Sequence, residues 1–278
     1  MALANLVLLE AKVADRWKWL RTVVPLIAIC SILARSQDLE MLLEGRVEDV
    51  SRLPVQTHQA NEFTFVRLIY NGRIPGYLKN WYTDYPTGDR NLLNVLRRQT
   101  VVDIAPQSRA LPIHHPDLFS YPMVYSVEAG QMVLTQDDAR VLREYLVRGG
   151  FWMIDDFWGT TEWLSFEAEM KKVFPDRPIV ELPLSHSIFH NFYDIDEKVQ
   201  VPNIGYAYCG GCPTYELDGY KPYVRGILDD NGRLLVFINF NTDLMDASEW
   251  SDDPQYPSKF SAYSYRVFTN AVIYAMSH

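Results

Sequence analysis

Gly149-Gly150-Phe151-Trp152-Met153-Ile154-Asp155-Asp156-Phe157-Trp158-Gly159 is the stretch from which the fold is read. A glycine pair suited to ending a helix precedes an apolar run of strand length, and two carboxylates follow before the next glycine. In an open α/β sheet, ligands bind outside the carboxyl ends of the strands. Asp155 and Asp156 stand at such an end, which makes them candidate catalytic residues. Neighbouring strand residues point to opposite faces, so both carboxylates share one crevice only if the strand has already ended. Two arrangements stay open. One carboxylate faces the crevice while the other accepts amides at the following helix start, or both organise the turn, a task that suits Asp.

Working outward, Thr135 opens a helix in a capping box closed by Asp138. Ala139, Leu142, Tyr145 and Leu146 form its inner face, and Gly149 supplies a left-handed stop. Before it, Phe63–Tyr70, Val101–Ala105 and Pro122–Val127 read as strands. Between the first two lie a Gly/Pro/aromatic loop and a helix that Asp89 can cap, with Leu92, Leu93 and Leu96 on one face. After the opening stretch come a helix over Thr161–Phe174 and a strand over Pro178–Leu182, then a long irregular region. Tyr223–Asp229 and Arg233–Phe240 flank Asp230-Asn231-Gly232, a turn whose Asn-Gly tolerates positive φ, so a C-terminal antiparallel hairpin is expected. Ser261–Met276 closes the chain as a helix. Alternating strands and helices predict an α/β fold: a mostly parallel sheet with helices on both faces, in one domain over 61–278.

The 278 residues are 48% hydrophobic and 22% charged, ordinary values for a globular chain that can bury its own core. A formal net charge of −9 argues against nucleic acid, whose affinity comes mainly from Lys and Arg meeting phosphates. Positive charge gathers early, at Lys12, Arg16, Lys18, Arg21 and Arg35. An apolar run over Thr22–Ala34 follows, with a small-x-small site at Ala34-Arg35-Ser36. That run is shorter than the ~20 residues a spanning helix needs. Residues 1–36 therefore read as a signal peptide or N-terminal anchor and 37–60 as a polar tether. The expected location is periplasmic or secreted, with membrane contact only through an uncleaved N-terminal segment.

Several passages together resemble the bacterial family known as domain of unknown function 4159. They are Phe65-Val66-Arg67-Leu68-Ile69-Tyr70, Trp81-Tyr82-Thr83-Asp84-Tyr85-Pro86, Leu142-Arg143-Glu144-Tyr145-Leu146 with Gly149-Gly150-Phe151, and Asp155-Asp156. His186-Ser187-Ile188-Phe189, Asn241-Thr242-Asp243 and Glu249-Trp250 extend the likeness across 61–278. The resemblance implies a flavodoxin-like three-layer sandwich similar to class I glutamine amidotransferases. It carries over no established reaction. Where those enzymes have a nucleophilic Cys on a tight turn after a central strand, the comparable place holds Asp155-Asp156. Without a thiol there, glutaminase chemistry is not expected.

His186 and His190 are four residues apart and would share a helix face. With Asp155 or Asp84 they could hold a divalent metal through nitrogen and oxygen, or they are a structural and a surface histidine. Cys209 and Cys212 would form a short-loop disulfide in an oxidising compartment. A thiol–disulfide catalyst would want that pair at a helix N-terminus, where the helix dipole lowers a thiol pKa. Trp81, Tyr82, Asp84, Trp158 and Trp250 are expected to form an aromatic and acidic rim for stacking on sugar rings or a partner's side chains. Asn241 and Asp243, in an acidic loop after the last strand, join it as ligand-binding candidates, or the loop is simply solvated. Two readings follow. One is a domain that binds an unidentified ligand or an envelope protein. The other is a metal-dependent hydrolase built on Asp155, Asp156, His186 and His190.

Overall fold

The computed structural model describes residues 62–74 and 80–278. The expected signal or anchor (1–36) and tether (37–60) lie outside the described residues. The chain forms β1 (Val66–Ile69), β2 (Asn71–Gly72), α1 (Thr87–Gln99), β3 (Arg109–Pro112) and β4 (Met123–Ser126). It continues through β5 (Met132–Val133), α2 (Gln136–Val147), β6 (Phe151–Ile154) and α3 (Gly159–Val173). Then come β7 (Val180–Glu181), α4 (Ile204–Ala207), β8 (Tyr223–Leu228), β9 (Leu234–Phe240), α5 (Leu244–Glu249) and α6 (Ser258–Ser277).

Among the described residues, seven strands form one sheet in the order β3-β1-β4-β6-β9-β8-β7. The first five are parallel, while β8 runs antiparallel to β9 and β7 antiparallel to β8. β2 and β5 make a separate two-stranded ribbon. Alternation along the strands explains the layers. Phe151 and Met153 of β6 join a core with α1, α5 and α6, including Leu92, Leu96, Leu244, Phe268 and Val272. Trp152 and Ile154 join the opposite core with α2 and α3, including Leu142, Leu146, Phe166 and Met170. With both faces covered, the inner strands can be apolar throughout, as parallel strands usually are.

Two local features explain how β6 is launched. Thr135 and Asp138 close a reciprocal capping box at the start of α2. At its other end Gly149 has φ +115°, a conformation that side-chain-bearing residues rarely adopt. The next residue is glycine for another reason: a Cβ on Gly150 would lie 2.5 Å from the Tyr145 ring.

The expected strand at Val101–Ala105 does not form. Only Ile104 bridges to Phe63, and the Val101 side chain is fully exposed. β1 pairs instead with Arg109–Pro112, in the register Val66 to Arg109 through Ile69 to Pro112. The β-branched pair Val101-Val102 only leaves α1. The true strand was hidden by its proline, which the sheet accepts because β3 is an edge strand. The acidic stretch after β9 also differs from a solvated loop. Asn241, Thr242, Asp243, Asp246 and Ser248 are all buried, and α5 occupies most of it. None of the described helices is long and apolar enough to cross a membrane.

Candidate functional site

The site is built on the connections that leave the carboxyl ends of the parallel strands. After β1, the loop bearing Asp84 is gripped from below by Arg67. This guanidinium sits on β1 with no solvent exposure, and its Nε donates to Asp89 Oδ1 on α1 at 2.7 Å. Its Nη1 donates to the carbonyls of Trp81 and Thr83. The guanidinium also faces the Tyr85 and Tyr125 rings at 5.6 and 5.3 Å. One buried cation thus ties strand, helix and loop together around Asp84.

After β6, the strand has ended by the second carboxylate. Asp156 has φ +52°, so it and Asp155 do not simply alternate across a sheet. Asp155 is fully buried, and its Oδ2 accepts from the Leu244 and Met245 amides at the start of α5, at 2.8 and 3.1 Å. Asp156 Oδ1 accepts from the Trp158 indole at 2.8 Å, and its amide donates to the Thr242 carbonyl. After β9, Asp243 Oδ1 caps α5 by accepting from the Asp246 amide at 3.0 Å. Asp246 Oδ2 in turn accepts from the Ile204 amide. The Trp250 indole lies beside Asp246 and Glu249, and its N–H pulls both carboxyls down against the effect of burial. α5 can approach this closely because α1 carries Gly88, where a Cβ would meet Met245 at 2.9 Å. Ser248 Oγ donates to the Gly88 carbonyl, and Asn91 Nδ2 donates to the Ser248 carbonyl.

The outcome is a gathering of carboxylates. One oxygen each from Asp84, Asp156 and Asp243 lie within 4.8 Å of one another, and so do oxygens from Asp84, Asp246 and Glu249. Backbone strain concentrates there too. Asp84, Glu128, Asp156 and Asn241, in the connections leaving β1, β4, β6 and β9, have φ between 52° and 63°. A left-handed backbone costs an L-residue about 1–2 kcal/mol, less for Asp and Asn. Strain of this kind persists only where the surroundings over-determine it, and it collects at functional sites.

Burial pushes the carboxyls of Asp84 and Asp243 well above the usual carboxylate range, and neighbouring acids push further: Asp246 and Asp156 first on Asp84, Asp156 and Asp246 first on Asp243. Asp246 is raised to about 8, by burial and then by Asp156. Asp155 is raised by burial and by Asp156, against the pull of the nearby backbone amides, those of Leu244 and Met245 among them. Glu249 is raised by burial, with Arg67 opposing. Charges this close cannot all ionise cheaply in a buried setting. A set of hard oxygen ligands suits Mg²⁺, Mn²⁺ or Ca²⁺ better than a soft metal.

Residues 64–276, more than half of the chain and all of the site, match the family described as Domain of unknown function (DUF4159). The chain belongs to that family. Comparison with curated proteins finds no match.

Within the DUF4159 domain, the residues expected at a site divide into those that converge and those that do not. Asp84, Asp156 and Asp243 come together, with Asp155 behind them on the amides of α5. Trp158 is not a rim residue. It has no exposure, and its indole serves Asp156. Asn241 is committed to structure, since its Oδ1 accepts from the Gly159 amide and its Nδ2 donates to the Lys221 carbonyl. Trp81 is half-buried, with its ring 5.5 Å from Tyr82, and Trp250 is partly exposed beside Asp246 and Glu249.

His186 and His190 do not meet Asp155. His186 begins a single 3-10 turn, its Nδ1 accepting from the Ile188 amide, and its ring is 6.5 Å from Tyr274. The Tyr274 hydroxyl accepts from the Leu234 amide at the start of β9, whereas the register of Ile154 with Ile238 sets Asp155 level with the other end of that strand. The stretch of β9 between these two levels separates them by about 17 Å. Both nitrogens of His190 are engaged, with Asp194 at 2.9 Å and the Leu184 carbonyl at 2.7 Å. Cys209 and Cys212 are joined by a disulfide after α4, not at the N-terminus of a helix.

Arg67 escaped the sequence reading of the site, and Asp246 and Glu249 entered it only as members of the acidic stretch after the last strand. Asp246 and Glu249 had a signal, because Asp243, Asp246 and Glu249 recur every third residue and would share a helix face. Arg67 had one as well: a single charge within Phe65-Val66-Arg67-Leu68-Ile69, where a buried strand is otherwise apolar.

Proposed function

We propose that the protein is an exported ligand-binding domain of the cell envelope, and that its ligand is cationic and seats among Asp84, Asp156, Asp243, Asp246 and Glu249. One observation carries the reading: two overlapping sets of carboxylate oxygens within 4.8 Å, drawn from connections after three different strands. Holding buried carboxyls of like charge together is costly unless protons or a cation neutralise them. Arg67 does not supply that charge freely, because it is paired with Asp89.

The five parallel strands, numbered among themselves, run second-first-third-fourth-fifth across the sheet. That order supports a flavodoxin-like reading, with ligands at the carboxyl ends near the β1/β4 reversal. The left-handed turn at Asp156 after β6 is the counterpart of an amidotransferase nucleophile turn, and its carboxylate is suited to holding charge, not to attacking an amide. Export is supported by the basic, apolar and small-x-small succession in 1–36. The Cys209–Cys212 disulfide agrees with an oxidising compartment.

The test is thermal unfolding of the full chain at about pH 8, with Mg²⁺, Ca²⁺, Mn²⁺ or spermidine added after chelator treatment. At least one of these cations will raise the midpoint by about 5–10 °C, and Asp156→Asn will lose that gain. If none shifts the midpoint, or if the variant responds as fully as the parent, the reading is wrong.

A further inference from the structure

We infer that the carboxylate set is a binuclear divalent-cation site. Asp84 bridges one ion held with Asp156 and Asp243 and a second ion held with Asp246 and Glu249. This rests on the cationic-ligand reading and specifies the ligand.

The first ground is the overlap of the two sets. Each supplies three oxygens within 4.8 Å, and Asp84 belongs to both. A carboxylate has two oxygens and can serve two ions at once, the usual role of the shared acid in two-metal sites. All five side chains offer oxygen alone, which selects Mg²⁺, Mn²⁺ or Ca²⁺ with the remaining coordination filled by water or by a further ligand.

The second ground is independent of clustering. Among the described residues, Asp84 Oδ2 and Asp155 Oδ1 are buried oxygens without a hydrogen-bond donor. A buried acceptor left unsatisfied costs about 1–3 kcal/mol, more when it is charged. Asp84 Oδ2 belongs to the very side chain the two sets share. Asp155 spends its other oxygen on the α5 amides and directly precedes Asp156 in the chain. Its place is that of an outer acceptor, able to orient a metal-bound water.

The third ground is orientation. Asp156 is aimed by the Trp158 indole, Asp243 by the Asp246 amide and Asp246 by the Ile204 amide. Metal sites fix their ligands through such second partners. The α5 backbone carries ligands to both ions, with Asp243 and Asp246 at its start and Glu249 at its end.

The experiment is equilibrium dialysis of the chelator-treated full chain against Mn²⁺ at about pH 8, with bound metal counted per chain. The parent will hold two ions. Asp243→Asn and Glu249→Gln will each retain one, and Asp84→Asn will weaken both by at least about tenfold. Circular dichroism and urea unfolding establish that each variant folds. Should Asp84→Asn not fold, the partly exposed Glu249→Gln decides the matter. One ion in the parent, or two in Glu249→Gln, overturns the binuclear site while leaving the cationic-ligand reading intact. No ion in the parent overturns the binuclear site, and no response to spermidine or any divalent ion in the thermal assay then removes the broader reading as well.

Discussion

Replacing Arg67 by Met will cost the protein about 3–5 kcal/mol of stability, the usual consequence of removing one partner from a buried ion pair. Arg67 and Asp89 have side-chain exposures of 0% and 1%, so the carboxylate left behind would have no water to turn to. The same change frees the Trp81 and Thr83 carbonyls, and with them the loop that sets Asp84. Urea unfolding at neutral pH measures the loss. Asp89→Leu in the Arg67→Met background will restore much of the stability, because replacing both members of a buried pair by apolar groups is often neutral. It will not restore cation binding, since the loop still lacks its anchor. A loss below about 1 kcal/mol in the single variant would mean that Arg67 is not the clamp described.

Stability in chelator will fall as pH rises, opposite to the trend for a protein whose carboxylates are salt-bridged. The sign follows from which state holds protons more tightly. Asp84, Asp155, Asp243 and Asp246 have folded values above the ordinary carboxylate value, with Asp246 at about 8. The folded protein therefore keeps protons that the unfolded chain has released above about pH 4. Their stabilising contribution is complete below that point and is lost as pH climbs through their raised values, for Asp246 through about 8. At the acid end, Asp138, Asp218 and Asp176 behave conversely. Their folded values are lowered, Asp176 to about 2, by Thr135, Thr160 and Arg143 respectively (for Asp138, against a larger opposing effect of burial). Their contribution fades as pH falls below about 4.

The chelated protein will thus be most stable near pH 5, with its thermal midpoint dropping on the order of 10 °C by about pH 9. Asp246→Asn will flatten that slope. Added Mn²⁺ will reverse it, because a metal ion binds the deprotonated carboxylates and gains affinity as they ionise. Parallel slopes with and without metal would contradict the account.

The parts of the fold that could be read from sequence were the local ones. The apolar run Phe151–Ile154, the Thr135/Asp138 box and Gly149 each carry their own signal within a few residues. The placement of Asp155 and Asp156 at the end of an inner parallel strand was legible for the same reason. The direction of each carboxylate was not, because it depends on the left-handed backbone at Asp156 and on the α5 amides some 90 residues away in sequence. The partners of Asp156 at Asp84 and Asp243 likewise have no diagnostic spacing, since only the crossover topology brings those three connections together. His186 and His190 misled in the opposite way. Their four-residue interval promised a shared helical face, but the chain makes a single 3-10 turn there, and it lies at the other end of the sheet.

Protons released on metal binding offer the most direct measurement. Mn²⁺ added to the chelator-freed full chain at about pH 7 in weak buffer must displace protons that burial and mutual repulsion favour on the carboxyl cluster, first of all the one on Asp246, raised to about 8. The account predicts acidification of at least about one proton per chain, shrinking in both Asp246→Asn and Asp84→Asn. Metal binding without proton release, or release that both variants leave unchanged, would contradict it.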